Sequence, residues 1–360
     1  MKKLNYFNIL FCVVVIFSCL SVSLISYASI MNILLTILIM FTALLFMITN
    51  NKRISKKKMA LIYIVIILVI ISRKTNLISI ALIVLLSVVA EKSNLENSMK
   101  IFIRINVFMF FIIVANYLLF DFNKICDTTI WRLASNSIYK RYSLGFEHAN
   151  QAMLFWLGIA LGYLSLSNRK NVFKLSFFIG LITFIIYKLT VSRTSMLVIY
   201  FAIALIIIFR KSLNKPISKT KRICLAVFPT ILTIISFLSI ELYKYNFINL
   251  LFSGRFALYN MYFNIAGLNL FGNEYIEKNA MLDNSYLHTF LSKGVIFSLI
   301  YLIFIYYLIA KRRELTTIDA IILLGYFIVG FAETMLFKFN LIILIIIVLF
   351  RNKNNKSMTY

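Results

Sequence analysis

Residues 172–211 read VFKLSFFIGLITFIIYKLTVSRTSMLVIYFAIALIIIFRK. Two apolar runs, 175–190 and 194–209, are joined by a short break whose one charge is Arg193. About 20 apolar residues cross a bilayer as a helix. Backbone groups in lipid must be bonded within the segment, which favours helices. Neither run alternates apolar and polar residues as a barrel strand would. The stretch therefore predicts a helical hairpin through a membrane, with Arg210 and Lys211 at one end and a lone arginine at the other.

The same pattern recurs on both sides of it. Spans are expected at 6–27, 30–49, 59–71, 75–90, 101–120, 151–167, 175–190, 194–209, 223–243, 293–310, 317–336 and 338–350. The count is about 12, or 10 to 11 if the pairs 59–71/75–90 and 317–336/338–350 do not each cross fully. The chain of 360 residues, 62% hydrophobic, is thus expected to be an all-α, polytopic membrane protein with one transmembrane domain over 1–360. The sequence SYA at 26–28 resembles a signal-peptidase site, but the long run before it reads as an uncleaved first span.

A net charge of +26 invites a nucleic-acid reading. The distribution of the charge excludes it. Most of the 38 basic residues fall in the breaks 1–3, 50–58, 91–100, 168–174, 210–222, 311–316 and in the tail from Arg351. Such loop bias sets membrane orientation, and it puts these breaks and both termini in the cytoplasm. The opposite side holds two longer loops, 121–150 and 244–292, most of the 12 acids and both histidines. Chemistry tends to sit on loops held by a rigid scaffold, so the outer face is the expected functional surface. The four cysteines form no C-x-x-C or zinc spacing and suggest no disulfide framework.

Four outer segments carry candidate residues. RYSLGFEHAN (141–150) places Arg141, Glu147, His148 and Asn150 before a span, with Gly145 permitting a turn at positive φ. TVSRTSM (190–196) holds Arg193 where orientation rules do not explain it, and a solitary arginine near a membrane usually has a partner or a function. ISRKTN (71–76) presents Arg73 at the tip of a short hairpin. The segment 250–296 carries Arg255, with Ser253 as a cap, and an aromatic stripe of Phe256, Tyr259, Tyr262 and Phe263 on a helix lying on the leaflet. Asp283 and His288 follow, with Asp283 capping a helix if one starts near Asn284. Glu333 and Lys338 are expected to pair across the last outer turn. Arginine forks bind phosphate in two-point fashion and stay charged when buried.

The residues RYSLGFEHANQ resemble the G-F-x-H-x-N element of Wzy-type oligosaccharide repeat-unit polymerases, relatives of the O-antigen ligases. SRTSM is similar to that family's S-R-[TS] motif, and SGR, LFGNEY and LDNSYLHTFLSKG are similar to its large outer loop. The chain departs from the family at Ala149, where proline is frequent, and at Asp283, where ligases carry histidine; the latter favours polymerase over ligase. The resemblance implies a bacterial multi-pass enzyme of the cytoplasmic membrane that makes capsular, exo- or O-antigen polysaccharide. Its donor and acceptor would be undecaprenyl-pyrophosphate-linked glycans, joined at the outer face. Membrane lipids, a flippase and a chain-length regulator would be partners, with no nucleic acid, cofactor or metal. Arg73, Arg141, Arg193 and Arg255 would hold pyrophosphate, and Asp283 or His148, then Glu147 or His288, would take the acceptor proton. A transporter would instead need ionisable groups along the midplane, and the spans are nearly free of them. A scaffold would not account for the outward arginines.

Overall fold

The computed structural model describes residues 6–24, 95–120, 126–132, 137–252, 254–280 and 282–351, with Leu34, Ile37 and Ile67 as isolated positions. The expected spans 30–49, 59–71 and 75–90, and with them Arg73, lie outside the described residues. In chain order the elements are α1 (Tyr6–Leu20), α2 (Glu96–Leu119), β1 (Thr128–Arg132), β2 (Ser137–Arg141), α3 (Ala149–Leu164), α4 (Val172–Thr190) and α5 (Arg193–Ile208). Then come α6 (Lys219–Leu238) with a 3-10 extension (Ser239–Lys244), α7 (Asn246–Leu251), α8 (Arg255–Ala266) and α9 (Glu274–Asn279). The chain continues through α10 (Ser285–Lys293), α11 (Val295–Lys311), α12 (Thr317–Ala332) and α13 (Phe339–Phe350). The architecture is mostly helical, as expected.

Three described helical segments are long and apolar enough to cross a membrane: Asn97–Leu119, Val172–Thr190 and Lys219–Lys244. Five shorter apolar helices accompany them. Burial sorts the bundle into a centre and a rim. Nearly all of α3 is buried, and so is 341–349 of α13, as befits helices apolar all round. By contrast α4 keeps Phe173, Phe177, Phe184 and Ile185 exposed, and α6 keeps Ile231, Ile234, Ile235 and Leu238 exposed. Exposed apolar stripes of that size on membrane-length helices suit contact with lipid.

The hydrogen bonds between helix ends define two ends of the bundle. At one, the start of α6 and the start of α12 meet through the Pro216–Thr316 bridge. There Arg351, just past α13, bonds Asp319 on α12 and both Oγ (3.2 Å) and the carbonyl oxygen (3.3 Å) of Ser165 at the end of α3. Asp319 also closes a capping box with Thr316. Arg169, Lys170, Arg210, Lys211, Arg222 and Arg312 flank helix termini at this same end. The Arg351 and Asp319 side chains are each 4% exposed. Breaking a buried pair strands a charge and costs about 3–5 kcal/mol. Asp319→Ala is therefore expected to lower the thermal unfolding temperature in detergent sharply, whatever its effect at the distant end.

Two local features differ from expectation. The 121–150 loop contains an antiparallel hairpin, β1–β2, in register from Thr128↔Arg141 to Arg132↔Ser137. Its Thr, Ile, Trp and Tyr content suits strands. The 244–292 loop carries the helix expected from Arg255, Arg255–Ala266, among other short ones. The expected span at 293 starts instead at Val295, because Gly294 (φ 91°) breaks the chain between α10 and α11. There Gly272 and Gly294 cross back to back: a β-carbon on Gly272 would lie 2.1 Å from the Ser292 carbonyl oxygen, and one on Gly294 2.3 Å from the Gly272 nitrogen. The crossing is laced by Asn273 N–H to the Leu291 carbonyl (3.0 Å) and Val295 N–H to the Asn269 carbonyl (2.9 Å).

Candidate functional site

At the end away from the basic loops, the start of α3, the end of α4, the start of α8, the start of α10 and the turn after α12 converge. The turn before α3 is built on Leu144 (φ 54°) and Gly145 (φ 85°). A β-carbon on Gly145 would stand 2.8 Å from the Ile113 carbonyl oxygen, so both the angle and the space demand glycine. Asp127 ties the hairpin base down, accepting from Tyr117 Oη (2.8 Å) and from the Ser143 N–H (2.8 Å). His148 then caps α3: its Nδ1 accepts the Asn150 N–H at 3.2 Å.

Arg141, buried at the end of β2, donates from Nε to the Thr190 carbonyl at the end of α4 (2.9 Å) and from Nη2 to Asn150 Oδ1. Asn150 passes the contact on, donating from Nδ2 to Glu333 Oε2 at 3.5 Å. The other Glu333 oxygen, Oε1, lies 3.8 Å from Nη2 of Arg255. Arg255 begins α8, donates from Nη1 to the Ala332 carbonyl (2.8 Å) and pairs through Nη2 with Asp283 Oδ2 (3.1 Å). Two guanidinium groups far apart in sequence are thus linked to one carboxylate, Arg141 through Asn150 and Arg255 at 3.8 Å, and a second carboxylate stands beside Arg255. The Glu333 side chain is 5% exposed and that of Asp283 is 40% exposed. The inner carboxylate accepts from Asn150, which holds Arg141, and lies near Arg255; the outer one can meet an incoming molecule.

Helix α10 fixes Asp283 from behind. The expected cap at Asp283 is in fact Asn284, whose Oδ1 accepts the N–H groups of Tyr286 and Leu287 at 3.0 Å each, while Nδ2 donates to Ser236 Oγ at 2.9 Å. A buried cap that must also donate to a hydroxyl calls for an amide, since a carboxylate has no hydrogen to give. The Asp283 carboxylate is left for Arg255, and its carbonyl accepts from Tyr259 Oη (2.9 Å). Ser285 Oγ accepts the Met335 N–H at 2.7 Å and bonds the Glu333 carbonyl, anchoring the 333–338 turn to α10.

The other sequence candidates divide. Arg193 is exposed at the first residue of α5, on the same rim as Thr190 but outside the Arg141–Glu333–Arg255 chain. Glu147 is exposed. His288 is buried in α10 and faces Ser292 Oγ (3.3 Å) beside the Glu277–Lys293 pair (2.7 Å), which sets it apart from the arginines. Burial pushes the His288 imidazole down to about 4. Burial, then the nearby Arg141, also lowers His148, with Asp283 opposing. Its Nδ1 is an acceptor in the cap, so the neutral ring carries its hydrogen on Nε2 and can donate there. Ser253 is outside the described residues.

Glu333 is the residue that local reasoning misplaced. Expected to pair with Lys338, it turns to Asn150 and Arg255. Burial first, then the Asp283 carboxylate, push its carboxyl up to about 7 against the pull of Arg255, Lys338 and Arg141. An unfolded chain releases this proton near 4.5, so between about 4.5 and about 7 the folded protein holds the extra proton. Stability therefore falls as pH rises through that window. Melting temperatures of the detergent-solubilised protein are expected to decline across it, and Glu333→Gln, which stays neutral, to flatten the decline.

The cluster sets buried Arg141 and half-buried Arg255 near Asp283, whose carboxylate is the more exposed, and near His148, whose Nε2 is a neutral donor. Among the described residues no group of three or more His, Cys, Asp or Glu is placed to hold a metal ion. Set against protein-family models, curated proteins and solved structures, the chain finds no match in any of the three.

Proposed function

We propose that the protein is a membrane glycosyltransferase that polymerises oligosaccharide repeat units carried on a polyprenyl pyrophosphate, at the outer face of a bacterial cytoplasmic membrane. One observation carries this reading. Arg141, through Asn150, and Arg255 converge around the buried Glu333 carboxylate, with half-exposed Asp283 3.1 Å from Arg255, at the bundle end away from the basic loops. The positive-inside rule turns that end outward.

The arrangement suits transfer from a diphosphate. The anomeric C–O bond to phosphate breaks and its electron pair leaves on the diphosphate, whose growing charge the guanidinium forks neutralise. The acceptor hydroxyl oxygen bonds the anomeric carbon, and its proton passes to Asp283. Diphosphate leaves readily without protonation, so the site lacks nothing for having one acid-base carboxylate exposed rather than the pair that glycoside hydrolysis uses. Glu333 and Asn150 keep the two arginines in one orientation, which is the larger share of what such a site must provide.

Purified protein in vesicles, supplied with lipid-linked repeat units, is expected to yield a ladder of longer glycans and free polyprenyl diphosphate in equal number to the bonds made. A protein that moves the lipid-linked unit across the bilayer without lengthening it would be a transporter. One that leaves both length and sidedness unchanged would not act on these lipids at all.

A further inference from the structure

From Tyr245 to Asn273 the chain holds a single charged residue, Arg255, and that residue is turned inward to Asp283 and Glu333. Nothing about a solvated loop would select such a composition. Most of the exposed side chains of this stretch are large and apolar, with Asn246, Asn264 and Asn269 among the rest. Phe247 is 78% exposed, Leu250 62%, and on α8 the residues Leu258, Met261 and Ile265 recur at three- and four-residue spacing on one exposed face. The aromatic stripe expected to lie on the leaflet points the other way: Phe256 and Tyr259 are buried against Ile240, Ile276, Leu282 and Leu287. Helix α8 is therefore apolar on two faces, one against protein and one against something else.

We infer that this second face is seated in the outer leaflet, at the boundary between headgroups and acyl chains. Continuity identifies the occupant. The exposed stripe of α6, Ile231, Ile234, Ile235 and Leu238, belongs to a membrane-length segment that ends at Lys244, and Tyr245, Phe247 and Leu250 follow at once. Lys244 and Glu241, paired and exposed, mark the water-facing side of that rim. Beyond them the chain uses Asn246, Asn249, Asn260 and Asn264 for polarity, with Tyr and Phe, which suits the interface where amphipathic rings gather. The consequence for the site is one of depth. Arg255 opens the helix that carries the seated face, so its guanidinium is held at the level where lipid phosphates lie. The inference stands whether or not the proposed transfer reaction does.

Leu250→Trp and Met261→Trp each add a reporter to the full chain in phosphatidylcholine vesicles, and Tyr275→Trp, on the polar helix α9, adds a control. The first two are expected to emit at shorter wavelength than the control. They should also lose most of their added emission when the lipid carries bromine near the top of the acyl chains, and little to aqueous iodide. Quenching by iodide rather than bromine would place the face in water. Resistance to both would mean that a second copy or another protein covers it. Either result overturns the inference.

Discussion

Arg255→Ala is expected to leave lipid-linked single repeat units and no long polymer. Arg255 reaches the Ala332 carbonyl at 2.8 Å, Asp283 at 3.1 Å and Glu333 at 3.8 Å, so one side chain ties α8 to the start of α10 and to the turn after α12. Its loss removes a fork from the leaving diphosphate. Removing a single donor to developing charge costs about two to three orders of magnitude in rate. It also leaves Asp283 and Glu333 facing each other without their shared cation. A second variant separates the two effects: Arg255→Ala with Glu333→Gln relieves the repulsion and restores the melting temperature, but not the transfer. Arg255→Lys keeps a charge without the planar fork and should recover only part of the rate. Arg193→Ala, at an exposed position outside the cluster, should cost less than any of these. Polymer of normal length from Arg255→Ala would remove the ground for the proposed function.

The second large effect is expected at Asp283. Asn has nearly the same shape, can still bond Arg255 only through its oxygen, and cannot take a proton. A general base contributes about two to four orders of magnitude. Asp283→Asn should therefore lower the rate of chain extension by that amount while leaving the binding of lipid-linked glycan close to normal, a loss in kcat more than in KM. His148→Gln, in contrast, is expected to act mostly through the helix it caps, because its Nδ1 is committed to the Asn150 N–H. A rate loss at His148 equal to that at Asp283, with α3 still formed, would reassign the base.

The membrane helices were legible because a bilayer imposes a length and a solvent on each segment separately. The run at 175–190 needs no knowledge of its neighbours to be read, and it reappears as Val172–Thr190. Three matters were not legible. The hairpin at 128–141 rests on cross-strand pairing between short runs that carry little periodicity of their own. The exposed stripe Leu258–Met261–Ile265 and the buried one at Phe256 and Tyr259 lie on one helix, and amphipathic pattern alone does not say which turns inward. Glu333 was assigned to Lys338 because the two are near in sequence, whereas its partners Asn150 and Arg255 lie 183 and 78 residues earlier (333 − 150 and 333 − 255). That Arg141, through Asn150, and Arg255 meet around Glu333 is a property of helix packing. A signal for Glu333 did exist: an acid at the close of an apolar run is costly to desolvate and so asks for more than a flexible neighbour.

The back-to-back glycines at 272 and 294 limit how this protein can diverge. Neither position has room for any other side chain, so mutation cannot adjust the path of the backbone there. Side chains presented between those two points, Asp283 among them, can change only on a backbone path that stays fixed. A segment exchanged from another source would inherit the native alignment if it kept both glycines, and would have to build a new one if it lost either.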